Sequence, residues 1–296
     1  VSRSNWLWPL LIVVFAVYLL ASVAGAVPPI VADLVARGWP AALVLFGLVV
    51  LFGRRVRFAT VIALFVTLAL TVGIAVFAYA KQSGRVRTDY RAPIAQTLAP
   101  EITALKINLS TLIADIDIST AADRTISGEF VGSAESQVTT TFTVEQGVAT
   151  LSITETRTSS LPRLDAIGRG KFALQLPRGV TLDTLSIEGS DGPLILDLSN
   201  ATVRTLNIRV GTGALVVTLP AQRPEIGLGG NITTGAGDLT LTVPAGVTLK
   251  LSVAGGRPAF DQANYLLLSG NVLQSAGVRD FQVALTVSAS GTVTVK

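Results

Sequence analysis

The chain has 296 residues and a formal net charge of +4; half of its residues are hydrophobic and only 14% are charged. A mean hydropathy of +0.59 is too apolar for an ordinary water-solvated globule of this length, so part of the chain is expected to meet a non-aqueous solvent. Cysteine and histidine are absent, which excludes disulfides, thiolate nucleophiles, imidazole bases and most zinc or copper sites. Methionine is absent as well, and Val1 reads as an alternative start or a shortened chain.

The apolar residues are concentrated before Ala80. Trp6 to Val27 is almost uninterrupted Leu, Val, Ile, Ala and Phe. At about 1.5 Å per residue such a run reaches across a ~30 Å hydrocarbon core. The apolar signal is renewed over 38–53 and 56–80, which a signal peptide does not explain. Arg54, Arg55 and Arg57 would each cost about 2.5 to 3.5 kcal/mol at a helix centre, so they divide the tract. The reading is a membrane α-helical N-terminal region of about three transmembrane helices, near 6–27, 38–53 and 56–80, with four left open.

Trp8–Ala16 recurs as Trp39–Gly47, and both copies open on Trp-Pro. Tryptophan favours the headgroup interface and proline is tolerated in a first helical turn. The expected membrane-interface residues are therefore Trp8, Pro9, Trp39, Pro40, Arg54, Arg55 and Arg57, with the lipid bilayer as partner. The sequence pI of 9.7 is read as membrane-flanking charge, and no nucleic acid is expected. A cytoplasmic Arg54–Arg57 loop puts the remainder of the chain outside a cell membrane crossed several times, although Lys81, Arg85, Arg87 and Arg91 pull the other way.

Residues 81–100 read as a linker and 101–296 as an all-β domain. Leu105 and Ile107, Ile116 and Ile118, Phe142 and Val144, Leu151 and Ile153, and Phe172, Leu174 and Leu176 alternate with polar neighbours, the period of half-buried strands. Thr181–Ile187 followed by Gly192–Leu198 recurs as Thr202–Ile208 followed by Gly213–Leu219, a period of about 21 residues, and Gly237–Val243 adds a third copy. Such a unit has one apolar face and needs neighbours above and below. The expectation is a β-solenoid or solenoid-like stacked sheets, with Leu185, Ile187, Leu194, Leu196 and Leu198 and their equivalents Leu206, Ile208, Leu215, Val217 and Leu219 as a continuous core.

Gly211-Thr-Gly213 and Gly235-Ala-Gly237 precede strands, so they read as corners needing positive φ, not as phosphate cradles. Asp115 and Asp117 share a strand face, and Asp191, Asp197 and Asp238 fall near corners; solvated surface is the reading, against glycoside chemistry or weak calcium binding. No catalytic, cofactor or metal residues are expected. Arg163, Arg169 and Lys171 make the middle of the domain basic and mark a candidate interaction loop for an anionic polymer or headgroup.

The doubled Trp-Pro repeat ending in Gly53-Arg54-Arg55, followed by further apolar sequence and a Gly-x-Gly-x-Leu-x-Val-x-Leu-Pro β repeat, resembles the LiaF-type cell-envelope stress proteins of bacteria. Their β module is called toastrack and is similar to adhesin-type domains. The resemblance implies a non-enzymatic membrane protein that senses or relays envelope damage through a membrane partner such as a sensor kinase, with no cofactor. The alternative reading is a surface adhesin-like module that binds cell-wall or extracellular polymer.

Overall fold

The computed structural model describes residues 84–158, 168–221, 225–268, 270–278 and 280–296, with isolated helical positions between 44 and 76. The chain separates into two compact units, Val1–Ala80 and Lys81–Lys296. Apart from those isolated positions, the three expected spans lie outside the described residues, as do Trp8, Pro9, Trp39, Pro40, Arg54, Arg55 and Arg57. Among the described residues no helix is long and apolar enough to cross a membrane. The expected fold class, a membrane helical region joined to a β domain, is corrected accordingly: the described fold is almost entirely β. Apolar composition fixes a preference for burial, and does not by itself fix the length or continuity of a span.

The second unit opens with β1 (Tyr90–Thr97), β2 (Ala104–Thr120), β3 (Thr125–Gly132), β4 (Ser136–Glu145), β5 (Val148–Arg157) and β6 (Gly170–Leu176). The sequence repeats follow as β7 (Thr181–Asp191) with β8 (Leu194–Asp197), β9 (Thr202–Thr212) with β10 (Leu215–Thr218), and β11 (Leu228–Ala236) with β12 (Leu239–Thr242). The chain continues through β13 (Leu249–Ala254), β14 (Arg257–Phe260), β15 (Tyr265–Leu268), β16 (Val272–Ser275), β17 (Val283–Ser288) and β18 (Thr292–Val295). β1 falls inside the expected linker. Its Pro93 argues against a strand in sequence, but β1 is an edge strand, where a missing N–H is tolerated.

Each repeat unit forms one coil that contributes a strand to each of two sheets. In the first sheet the N-terminal half of β2, then β7, β9, β11, β17 and β13, run parallel in that spatial order. β5 and β4 extend it beyond β2, while β16 and β15 extend it beyond β13. In the second sheet the C-terminal half of β2, then β8, β10, β12, β18 and β14, run parallel, with β6, β3 and β1 on the far side of β2. The 17-residue β2 thus serves both sheets. The last coil in sequence, β17 with β18, sits between the β11–β12 and β13–β14 coils.

Parallel register carries the apolar pattern from coil to coil. Leu109, Ile187, Ile208, Ile232, Val287 and Val253 align in the first sheet, and Ile118, Leu196, Val217, Leu241 and Val295 in the second. All are buried, as are the ten core positions expected from the repeat. Each fully buried Leu or Ile contributes roughly 1.5 to 3 kcal/mol. At the β3 and β6 end the core is filled by Phe130 and Phe172, with ring centroids 6.3 Å apart.

The corners stack as tightly as the rungs. Gly213 has φ +120°, and a Cβ there would collide with the backbone carbonyl of Gly192 in the coil before it. Gly179 also has a positive φ, +77°, but a Cβ there would meet nothing within 4 Å. Gly179→Ala is therefore expected to cost about 1–2 kcal/mol, the penalty of a left-handed alanine. Gly213→Ala should cost clearly more, because backbone must move as well. Urea unfolding of the two variants measures the difference, and equal losses would contradict the stacking argument.

Candidate functional site

With the inward side chains of the first sheet committed to the core, its outward side chains form a second ordered array. One row crosses eight strands: Thr141 on β4, Ser152 on β5, Asn108 on β2, Ser186 on β7, Asn207 on β9, Asn231 on β11, Thr286 on β17 and Ser252 on β13. Two residues further along each strand lies a parallel row with Thr154, Ser110, Glu188, Arg209, Thr233 and Ser288. Neighbours within a row stand about 4.7–4.9 Å apart, the spacing of paired strands. Every member of the first row is an uncharged hydroxyl or amide, and neither row contains an aromatic ring.

Between the two rows, over β7, β9 and β11, runs an open groove of about 260 Å³. Its walls are Ser186, Asn207 and Asn231 on one side and Glu188, Arg209 and Thr233 on the other. Ile187 and Ile208 point into the core, so their backbone makes the floor. Glu188 and Arg209 stand side by side in register, which leaves the groove without net charge. Asn108 donates to the Ser152 hydroxyl at 3.5 Å, an amide–hydroxyl contact within the first row. The repeat is visible in the sequence here but the row is not, because outward polar residues in one strand have no visible partners until register is known.

The expected interaction residues divide. Arg163 lies outside the described residues. Arg169 forms ion pairs with Asp115 at 3.0 Å and Asp191 at 3.6 Å, and its backbone is bonded to Arg85 and Arg87. Lys171 is exposed on β6. Thr212 donates its hydroxyl to Asp191, so two of the aspartates are tied into local corner structure. Asp197 accepts from the Ser199 N–H at 3.0 Å and Asp238 from the Thr292 N–H at 2.8 Å. Asp117 is exposed. Among the described residues no group of acidic side chains is placed to hold a metal ion.

One buried carboxyl was not singled out by sequence. β2 leaves β5 after Ser110 to turn into the second sheet, so the Leu112 N–H loses its ladder partner. Glu155, buried at the end of β5, accepts that N–H at 2.9 Å and the Ser136 hydroxyl at 3.1 Å. Burial pushes the Glu155 carboxyl above its usual range, and the two hydrogen bonds and nearby Arg157 only partly oppose this.

Residues 81–242 match the family described as the N-terminal domain of toast_rack, DUF2154. The chain belongs to the toast_rack N-terminal domain family. A solved structure shares this fold. A candidate cell adhesion protein from Clostridium sporogenes is 18% identical with a TM-score of 0.59, covering 70% of this chain and 99% of that one. A candidate adhesin from Bacteroides fragilis is 14% identical, covering 72% of this chain and 100% of that one, with a TM-score of 0.28 that is too low to bear on the fold. No curated protein matches the chain.

These findings correct the LiaF-type reading. The family shown is the toast_rack domain itself. Among the described residues no helix is long and apolar enough to cross a membrane, and the family match supports a toast_rack domain in place of the expected multi-pass stress sensor of the cell membrane. The lipid bilayer and a sensor kinase as partners fall with it. The family match lies wholly after Ala80, over residues 81–242, whereas the LiaF-type resemblance drew also on the Trp-Pro repeat before it. Toast_rack and adhesin-like families are non-catalytic, and the protein is not an enzyme.

The toast_rack domain's buried glutamate makes stability depend on pH. A carboxyl whose folded-state pKa is raised contributes fully below its unfolded pKa, and that contribution is lost as pH rises through the folded value. Glu155→Gln stays neutral and keeps an acceptor for the Leu112 N–H. Thermal melts should therefore show the variant gaining on wild type as pH is raised from the ordinary carboxyl value of 4.5 toward neutrality. A difference independent of pH would mean that Glu155 does not pay a burial cost.

Proposed function

We propose that the protein is a non-catalytic, adhesin-like module that binds a hydroxyl-rich cell-wall or extracellular polymer along the outer groove of the first sheet. The observation that carries this reading is the row of neutral hydroxyls and amides repeated at strand spacing beside a groove without net charge. A linear glycan offers hydroxyl groups at a comparable repeat, so successive sugar rings find successive rungs. Serine, threonine and asparagine side chains both donate and accept, which suits a ligand that does the same. Without aromatic platforms, recognition rests on hydrogen bonds and not on ring stacking.

The candidate cell adhesion protein of similar fold agrees with a binding role, and the binding unit in this reading is the β unit, residues 81–296. The basic residues Arg163, Arg169 and Lys171 remain a proposed second contact, with Lys171 the most accessible described member. Arg169 is already engaged by Asp115 and Asp191 and contributes less.

The test is co-sedimentation of the full chain with purified insoluble cell-wall glycan. Each hydrogen bond removed should cost about 0.5–1.5 kcal/mol, so Asn207→Ala combined with Asn231→Ala should weaken binding roughly tenfold. Raising salt should leave the groove's share of binding little changed and weaken only the basic second contact, because screening acts on charges and not on neutral hydrogen bonds. Absence of binding, or binding untouched by the double substitution, would remove the groove from consideration.

A further inference from the structure

Among the described residues the two sheets end in four edge strands: β4 and β15 in the first, β1 and β14 in the second. Native edges are blunted, since an unpaired strand is a template for another chain. β1 carries Arg91 and Pro93, β14 carries Arg257 and Pro258, and β15 is only four residues long. β4 has none of these devices. It runs ten residues in unbroken register with β5, without proline, lysine or arginine, and its one charge is Glu145 at its end.

The direction of its free backbone groups follows from its hairpin. β4 and β5 are joined by Gln146 and Gly147, both with positive φ, so Glu145 and Val148 form the hydrogen-bonded closing pair. Alternation then turns the N–H and C=O of Val138, Thr140, Phe142 and Val144 away from β5. The Val138 N–H is taken by the Tyr90 hydroxyl at 3.3 Å. The open stretch is thus Thr139 to Glu145, centred on Phe142. Phe142 is only half-buried and Val144 is 48% exposed, so apolar surface accompanies the open backbone.

We propose that β4 pairs with β4 of a second copy of this chain, antiparallel, about a two-fold axis through Phe142. Phe142 then opposes the partner's Phe142, and Thr140 opposes the partner's Val144. On the outer face Thr141 opposes the partner's Thr143, and Thr139 opposes the partner's Glu145. The charges are compatible: each lone carboxylate meets a hydroxyl, and no like charges face one another. The register uses only the stretch that Tyr90 leaves open, in both copies at once, as an isologous interface requires. It also covers Phe142 and Val144. This interface stands independently of the polymer reading, because it is tested without any ligand.

The chain contains no cysteine, so single introduced cysteines report single contacts. In the full chain, Thr141→Cys mixed with Thr143→Cys should form disulfide-linked dimers on the order of tenfold faster than either variant alone, because only the mixed pair stands directly opposite. Light scattering should show the mass of the wild-type chain doubling as concentration rises. Thr140→Pro removes an outward N–H without touching the β5 ladder, and should return a folded monomer. Thr139→Glu, which sets two carboxylates face to face on an exposed surface, should shift the same equilibrium toward monomer even if the proline variant misfolds. A wild-type monomer at every concentration, or equal crosslinking by all three cysteine samples, overturns the proposal.

Discussion

Everything in the β unit depends on register between parallel strands. A shift of one residue between coils would turn an entire rung of Leu and Ile to solvent and bring polar side chains into the core. At the corners it would also drive the Gly213 region into the carbonyl of the coil before it. Two unrelated forces, apolar burial and backbone exclusion, therefore select the same alignment. That agreement lets strands as short as Leu194–Asp197 and Leu215–Thr218 hold their places.

The same constraint shapes the outer surface. Once inner residues are locked rung to rung, outer residues are aligned with them, and polar side chains scattered through the sequence become rows. The groove over β7, β9 and β11 thus arises from the core. Its side chains face outward from the sheet, whereas Arg169, Asp115 and Asp191 are tied into the structure by one another.

The repeat, the buried positions and the glycine corners were legible because each leaves a local trace: a 21-residue echo, an alternation, a Gly-x-Gly before a strand. The position of β17 and β18 was not, since Val283 pairs with both Leu228 and Leu249 and nothing local to Val283 names either neighbour. Glu155 was missed for a similar reason: its partner, the Leu112 N–H, is orphaned only by the turn of β2 between sheets. β1 fell inside the expected linker; a strand that holds Pro93 is tolerated at an edge, and nothing local marks an edge. The expected function drew on the apolar repeat before Ala80 as well as on the β repeat, and the family likeness resides in residues 81–242 alone.

The placement of β17 and β18 bears on how the chain reaches its native state. Because they slot between the β11–β12 and β13–β14 coils, the latter cannot dock on the growing stack while the polypeptide is still emerging from the ribosome. The earlier coils can zip up vectorially, each on its predecessor. The final part must wait with hydrophobic side chains uncovered until synthesis has passed Val295, so it stays open to chaperones longer than the earlier coils.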